Sequence, residues 1–145
     1  MTTSNSTDTN KALVLAGIKG VFIDRDPTAL DRLFSDDYRQ HNPQIPNGTA
    51  AIKTLLGKLP ADFKYEPGLV LADGDCVAIH GRYLGWGPKP MIFRIANGKI
   101  AEHWDVMQEE VPAAQSANGN SMLTSERAQM SASFCSFGRS AQRQV

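Results

Sequence analysis

The sequence predicts an α+β fold, with helices packed on one face of a curved antiparallel sheet. Three observations carry this. Apolar residues recur at helical spacing through the first half of the chain, while the second half alternates at strand spacing between tight turns. No strand-helix alternation, internal repeat or Gly-rich phosphate loop points to a parallel sheet or a nucleotide site. At 145 residues the chain is one domain, long enough to close a single core.

Leu13, Leu15, Ile18, Val21 and Phe22 suit a first amphipathic helix of about 14 residues, capped by Thr9 or Asn10. A short second helix starts at Asp26-Pro27, because Asp26 can cap it and Pro27 fits the first helical position; Leu30, Leu33 and Phe34 form its buried face. After Tyr38-Arg39-Gln40-His41-Asn42-Pro43 comes a Pro/Gly-containing loop. Thr49 can then cap a third helix buried through Ile52, Leu55, Leu56 and Leu59. Strands follow over roughly 64–72 and 76–84, joined by the turn Asp73-Gly74-Asp75. A Gly/Pro connection through residues 85–90 leads to Met91-Ile92-Phe93-Arg94-Ile95, and Asn97-Gly98, the strongest two-residue hairpin signal, returns the chain as a last strand.

Composition excludes several function classes. Fifteen basic and fifteen acidic residues leave no electrostatic footprint for nucleic acid and no polybasic membrane patch. No apolar run approaches the roughly 20 residues that span a bilayer, and the Thr/Ser/Asn-rich start does not read as a signal peptide. The expectation is a cytoplasmic protein without nucleic-acid or membrane partners. Cys76 and Cys135 show neither metal-ligand spacing nor a disulfide framework. Residues 1–10 read as a disordered leader, 11–112 as the folded domain and 113–145 as a mostly disordered tail, in which Met122-Leu123 or Phe134-Cys135-Ser136-Phe137 can dock locally.

The chemistry concentrates in the last strand. Strand periodicity projects His103 and Asp105 to one face with Ala101 and Met107, and Glu102, Trp104 and Gln108 to the other, unless a bulge resets the register. An imidazole beside a carboxylate among apolar neighbours supports proton transfer, and equally supports a structural pair at the sheet rim. His41 and Asn42, following Tyr38 in a Pro-stopped segment, can hydrogen-bond either a ligand carbonyl or backbone. His80 and Arg82 share one face of the middle strand, with Arg82 expected outward. Trp86 and Trp104 suit a pocket wall, the core or a dimer interface. His41, His80, His103 and Asp105 have the chemistry of metal ligands, but their spacing does not support a metal site, and none is expected.

Tyr38 through Pro43, Gly74-Asp75, Trp86-Gly87-Pro88-Lys89-Pro90, Ile92-Phe93-Arg94 and above all Gly98 through Gln108 resemble the SnoaL-like branch of the nuclear-transport-factor-2-like superfamily, the polyketide-cyclase and aldol-condensation type. The resemblance covers about residues 11–122. It implies a cone-shaped curved antiparallel sheet with the N-terminal helices on its concave face, usually a homodimer. It also implies an interior pocket in which His and Asp act on a carbonyl substrate without metal or organic cofactor. The matching positions are His41 and Asn42 near the mouth, and His103 and Asp105 on the last strand. Relatives carry an extra stretch with an Asp between Lys-Pro-Met and Phe-Arg; here the chain runs directly through Met91-Ile92-Phe93-Arg94. A shorter strand lacking one pocket carboxylate is the expectation.

The resulting reading is a cofactor-independent enzyme acting on a small apolar carbonyl compound by cyclisation, isomerisation or aldol-type chemistry. Asp105, with a raised pKa, is general base or acid and His103 its partner. His41 or Asn42 binds the enolate oxygen, and Tyr38, Trp104, Trp86, Gln108 and His80 complete the substrate-binding set. Competing readings on the same fold are a non-catalytic binding module and a dimeric scaffold.

Overall fold

Helix α1 begins where Ser6 accepts a hydrogen bond from the Thr9 N–H at 3.2 Å, and it runs from Thr7 to Ile18. The computed structural model describes residues 6–84 and 86–123. It divides into a unit of residues 1–110 and a second of residues 111–145. The helix therefore starts four residues before the expected boundary. Asn10, expected as a cap at the edge of a leader, is buried instead, its Nδ2 donating to the Gly74 carbonyl at 3.0 Å. A five-residue π-helical turn, Lys19–Ile23, continues α1. It keeps Val21 and Phe22 on the apolar side.

Helix α2 spans Thr28–Leu33. Its start falls one residue later than expected: Pro27 stands at the cap and not at the first helical position, while Asp26 accepts from the Thr28 N–H at 2.9 Å. Phe34, expected on this helix, instead opens strand β1, Phe34–Gln40. That strand lies at a sheet edge, where Asp36, Asp37 and Arg39 are exposed; charge on such an edge blocks pairing with other chains. Helix α3 spans Ala50–Leu56, and Thr49 stands at its cap without a side-chain capping bond.

Strands β2 (Tyr65–Asp73), β3 (Cys76–Tyr83), β4 (Gly87–Ala96) and β5 (Lys99–Asp105) follow. The curved, unclosed sheet has the order β1-β5-β4-β3-β2. All its pairs are antiparallel except β1 with β5, which is parallel, so the expected wholly antiparallel sheet is corrected at that edge. Asn97 and Gly98 both adopt positive φ, 52° and 72°, as their hairpin signal requires. Helix α1 packs against β2, β3 and β5, and Gly17 permits the close approach to Ile100 of β5. A Cβ there would stand 2.5 Å from Ile100 Cδ1.

Residues 87–90, expected as a connection, are the first part of β4, which runs for ten residues. Pro88 pairs with Arg82 and Pro90 with His80 on β3. Toward β5 the two prolines offer carbonyls but no N–H. The Val106 N–H donates to Pro90 O and the Gln108 N–H to Pro88 O, each at 3.2 Å, with no bond in return. This one-sided pairing ends β5 at Asp105. In the second unit, Ala113–Gln115 form a single 3-10 turn and the Val111 N–H donates to Met122 Sδ at 3.2 Å. The Phe134–Phe137 segment and Cys135 lie outside the described residues.

Candidate functional site

The sheet register decides which polar groups face inward. Phe93 pairs with His103 and Met91 with Asp105, so His103 and Asp105 share the buried face of the sheet with those apolar residues. Between Arg94 and Ile95 the ladder shifts by one residue, because Ile95 pairs with Ile100 and Arg94 with Glu102. The extra residue is Ala101. Ile100 thus joins the core at 0% exposure beside Ala101, which stays buried at 6% as alternation expects, whereas Met107 lies beyond the strand, exposed.

The inner face borders an apolar cavity holding about 570 Å³ of empty space, its open mouth included. Its wall combines Ile18, Val21, Phe22, Leu30 and Phe34 with Met91 and Phe93; the polar side chains on it are Tyr38, Gln40, Tyr83, Lys89 and His103. Trp86, half-exposed, also lines it and packs on Phe63 and Tyr83 with ring centroids 5.4 and 5.9 Å away.

Around His103 and Asp105 the contacts form a chain. His103 Nδ1 lies 2.9 Å from Gln40 Oε1, so the ring donates from Nδ1 to the amide oxygen. Its Nε2 is buried without a hydrogen-bond partner and stands 3.5 Å from Asp105 Oδ2. Asn42 Nδ2 donates to Asp105 Oδ1 at 3.0 Å and Oδ2 at 3.2 Å. Lys89 Nζ reaches Asp105 Oδ2 at 2.7 Å, with side-chain exposures of 12% for the lysine and 5% for the aspartate, and it also lies 5.3 Å from the centre of the Tyr83 ring.

The electrostatics correct the expectation for Asp105. Burial pushes its carboxyl up, but the hydrogen bonds from Lys89 and Asn42 outweigh burial and hold it below the ordinary carboxylate value. The imidazole is the group that burial neutralises: His103 falls from 6.5 to about 4, despite the opposing pull of Asp105. Burial also raises the Tyr38 and Tyr83 hydroxyls, keeping both as donors at neutral pH.

A depressed histidine pKa destabilises the fold on acidification, because between about 4 and 6.5 the unfolded chain binds a proton that folded His103 refuses. Stability is therefore fully present above 6.5 and falls as pH drops toward 4. His103→Gln, which keeps a polar side chain but cannot titrate, should flatten that part of the profile in urea unfolding at a series of pH values.

The structure brings together His103, Asp105, Asn42 and, on the cavity wall, Tyr38 and Trp86. It separates the rest. His41 lies on the other side of β5, its ring stacked on Trp104 at 4.6 Å and 5°, with Nε2 2.8 Å from Glu102 Oε1. Glu102 also accepts from Arg94 at 2.7 Å, and these two partners hold its carboxyl low. His41 and Trp104 therefore contribute no cavity wall. His80 shares the outer face of β3 with Arg82, opposite buried Val77, Ile79 and Tyr83. Arg82 pairs there with Glu66 and Glu110 at 2.8 and 2.6 Å. Gln108 is exposed beyond β5. The four candidate metal ligands thus split between two faces, and the described residues contain no cluster of three His, Cys, Asp or Glu suited to a metal. No helix among the described residues is long and apolar enough to cross a membrane.

Lys89 and Gln40 are the site residues that sequence reasoning missed. Lys89 did carry a signal, since it stands in phase with Met91, Phe93 and Ile95, a cation on an otherwise apolar strand face. Gln40 carried none, because its strand was not recognised.

The sequence pattern of the SnoaL-like domain matches residues 18–103, more than half of the chain. No curated protein matches. Among solved structures, the chain is similar to TsrD from Streptomyces laurentii, with a TM-score of 0.61 and 19% identity over 72% of this chain and 91% of that one. A protein proposed to be a ketosteroid isomerase from Kribbella flavida gives 0.62 and 21%, over 72% and 82%. An LEH-like epoxide hydrolase from M. tuberculosis gives 0.55 and 19%, over 72% and 86%. At these identities the likeness is one of fold.

Proposed function

Because this chain belongs to the SnoaL-like domain family, we propose that it is an acid/base enzyme that removes a proton next to the carbonyl of a small apolar compound, leading to cyclisation, isomerisation or aldol-type bond formation. The supporting observation is His103, which lines an apolar cavity and whose Nε2, a buried basic nitrogen, has no hydrogen-bond partner. Gln40 fixes the ring from its other side. Asp105, held ionised by Lys89 and Asn42, stands 3.5 Å away to stabilise the imidazolium that proton abstraction creates. Tyr38 and Lys89 on the same wall are donors for the oxygen that gains charge. Asn42 acts through Asp105 as a positioning residue, and His41 leaves the reaction.

The test is deuterium exchange into benzylacetone, a small apolar ketone, followed by proton NMR. The wild-type chain should catalyse exchange and His103→Gln should lose about 10²-fold or more of it; equal rates would remove His103 from the mechanism. A binding module is the second reading, favoured by Asp105 having both oxygens already satisfied by Asn42 and Lys89. It predicts saturable binding of the ketone without exchange.

We also infer a homodimer formed through the outer sheet face. Leu71, Ala78, Ile92 and Trp104 pair in succession across four strands and make an apolar row, with Leu71 58% and Ile92 45% exposed. Ion pairs border it on both sides, Arg94 with Glu102 and Arg82 with Glu66 and Glu110. A charged rim containing both signs is compatible with a second copy of itself. Ile92→Glu should convert a dimer to monomer in sedimentation equilibrium; a monomeric wild type would refute the assignment.

A further inference from the structure

We propose that Lys89 bonds covalently to the carbonyl compound, forming an iminium in the cavity with Asp105 as its counterion. The carbonyl class rests on the function proposed above. The covalent step goes beyond it.

Among the described residues lining the cavity Lys89 is the one lysine, and β4 places it in phase with Met91 and Phe93 on that wall. Pro88 and Pro90 flank it, each with φ fixed by its ring, so the lysine projects from a stiff stretch of backbone. Other lysines with acidic partners are in a different setting: Lys19 pairs with Asp24 and Lys53 with Asp31 at side-chain exposures of 63% and 38%. Lys89 is 12% exposed, and its partner carboxylate 5%. An amine on an apolar wall meets a bound carbonyl carbon with little competing water, the setting in which lysine serves as a nucleophile.

The contacts also supply a route for the protons. Asp105 Oδ2, 2.7 Å from Nζ, accepts one proton from the ammonium and frees the nitrogen lone pair. A C–N bond forms to the carbonyl carbon as the C=O π bond breaks, and the proton returns from Asp105 to the oxygen, giving a carbinolamine. A second proton moves from nitrogen to that hydroxyl, and the C–O bond breaks with loss of water. Overall, ammonium plus carbonyl gives iminium plus water. One positive charge stands opposite Asp105 before and after, so the buried carboxylate does not lose a cationic partner, which would be costly. The adjacent C–H is then more acidic, because the iminium accepts its electron pair as an enamine, and His103 Nε2, near the same carboxylate oxygen, is placed to take that proton.

The experiment treats the full chain with benzylacetone and sodium cyanoborohydride, maps the reduced adduct by peptide mass spectrometry, and measures deuterium exchange into the ketone in parallel without reductant. Wild type should carry about one adduct per chain, at Lys89, with exposed lysines far behind. Lys89→Arg keeps a cation opposite Asp105 but cannot form the adduct; it should lose the label and about 10²-fold or more of the exchange. Exchange that persists in both proteins with no label at Lys89 would overturn the iminium and leave the acid/base reading standing. Label at Lys89 without exchange would support the adduct and refute that reading. Neither label nor exchange would overturn both. Should Lys89→Arg fail to fold, the position of the label in wild type decides.

Discussion

Asp105→Asn should reduce catalysed deuterium exchange into benzylacetone by about 10²- to 10⁴-fold, the range over which a positioned acid/base group contributes. The substitution is nearly isosteric. The amide oxygen it introduces could still accept from Asn42, but the negative charge opposite Lys89 and His103 would be gone. An imidazolium formed during proton abstraction would then stand beside a cation with nothing to offset it. Removing a transition-state interaction lowers kcat and kcat/KM together, whereas a role in ketone binding alone would raise KM and spare kcat. Unchanged kcat would remove Asp105 from the proton-transfer machinery.

The second large effect is on stability. Lys89→Met should destabilise the fold by roughly 3 to 5 kcal/mol at neutral pH, because it strands a carboxylate buried to 5% exposure with Asn42 as its remaining hydrogen-bond donor. Urea unfolding measures this. The pH dependence gives a second signature. In the wild type the folded carboxyl lies below its unfolded value of 3.8, so its contribution is present above that value and is lost as pH falls through the folded pKa. Without Lys89 the carboxyl loses the largest of its lowering contacts and the folded value rises, so less stability is lost on acidification at this group. The double substitution Lys89→Met with Asp105→Leu should recover most of the loss, since replacing both members of a buried pair removes the unpaired charge. A single variant as stable as wild type would show that Asp105 reaches water.

Much of the fold was legible in the sequence because its signals were local. Asp26-Pro27 opens a helix, Asn97-Gly98 turns a hairpin, and alternation along residues 76–83 separates a buried from an outer face. The two element-level failures had long-range causes. Residues 34–40 contain Ser, Asp, Asp, Arg and Gln, so their pattern is not that of a strand; they become one by pairing with β5, more than 60 residues away. Residues 87–90 looked like a loop because of their prolines, yet an antiparallel strand tolerates proline where the neighbour on one side needs carbonyls alone. Both failures bear on the site. One hid Gln40 and the other hid Lys89.

The placement of His103 with Asp105 followed from two-residue periodicity and survived the bulge, which lies before both. Their ionisation did not follow. A carboxylate among apolar neighbours rises in pKa when burial is its main perturbation, but Asp105 meets Lys89 and Asn42 from other elements, and these invert the outcome. His41 shows the converse: adjacent in sequence to Asn42, it leaves the strand edge on the opposite side and meets Glu102 and Trp104.

A neutral, buried His103 facing a ligand cavity is the premise of the whole mechanism, and nitrogen-15 NMR titration of its ring, with and without benzylacetone, tests it directly. The predicted result is a ring protonated on Nδ1 that stays neutral down to a midpoint of about 4 and whose Nε2 resonance moves when the ketone binds. A midpoint near the ordinary 6.5, with no response to the ketone, would contradict it.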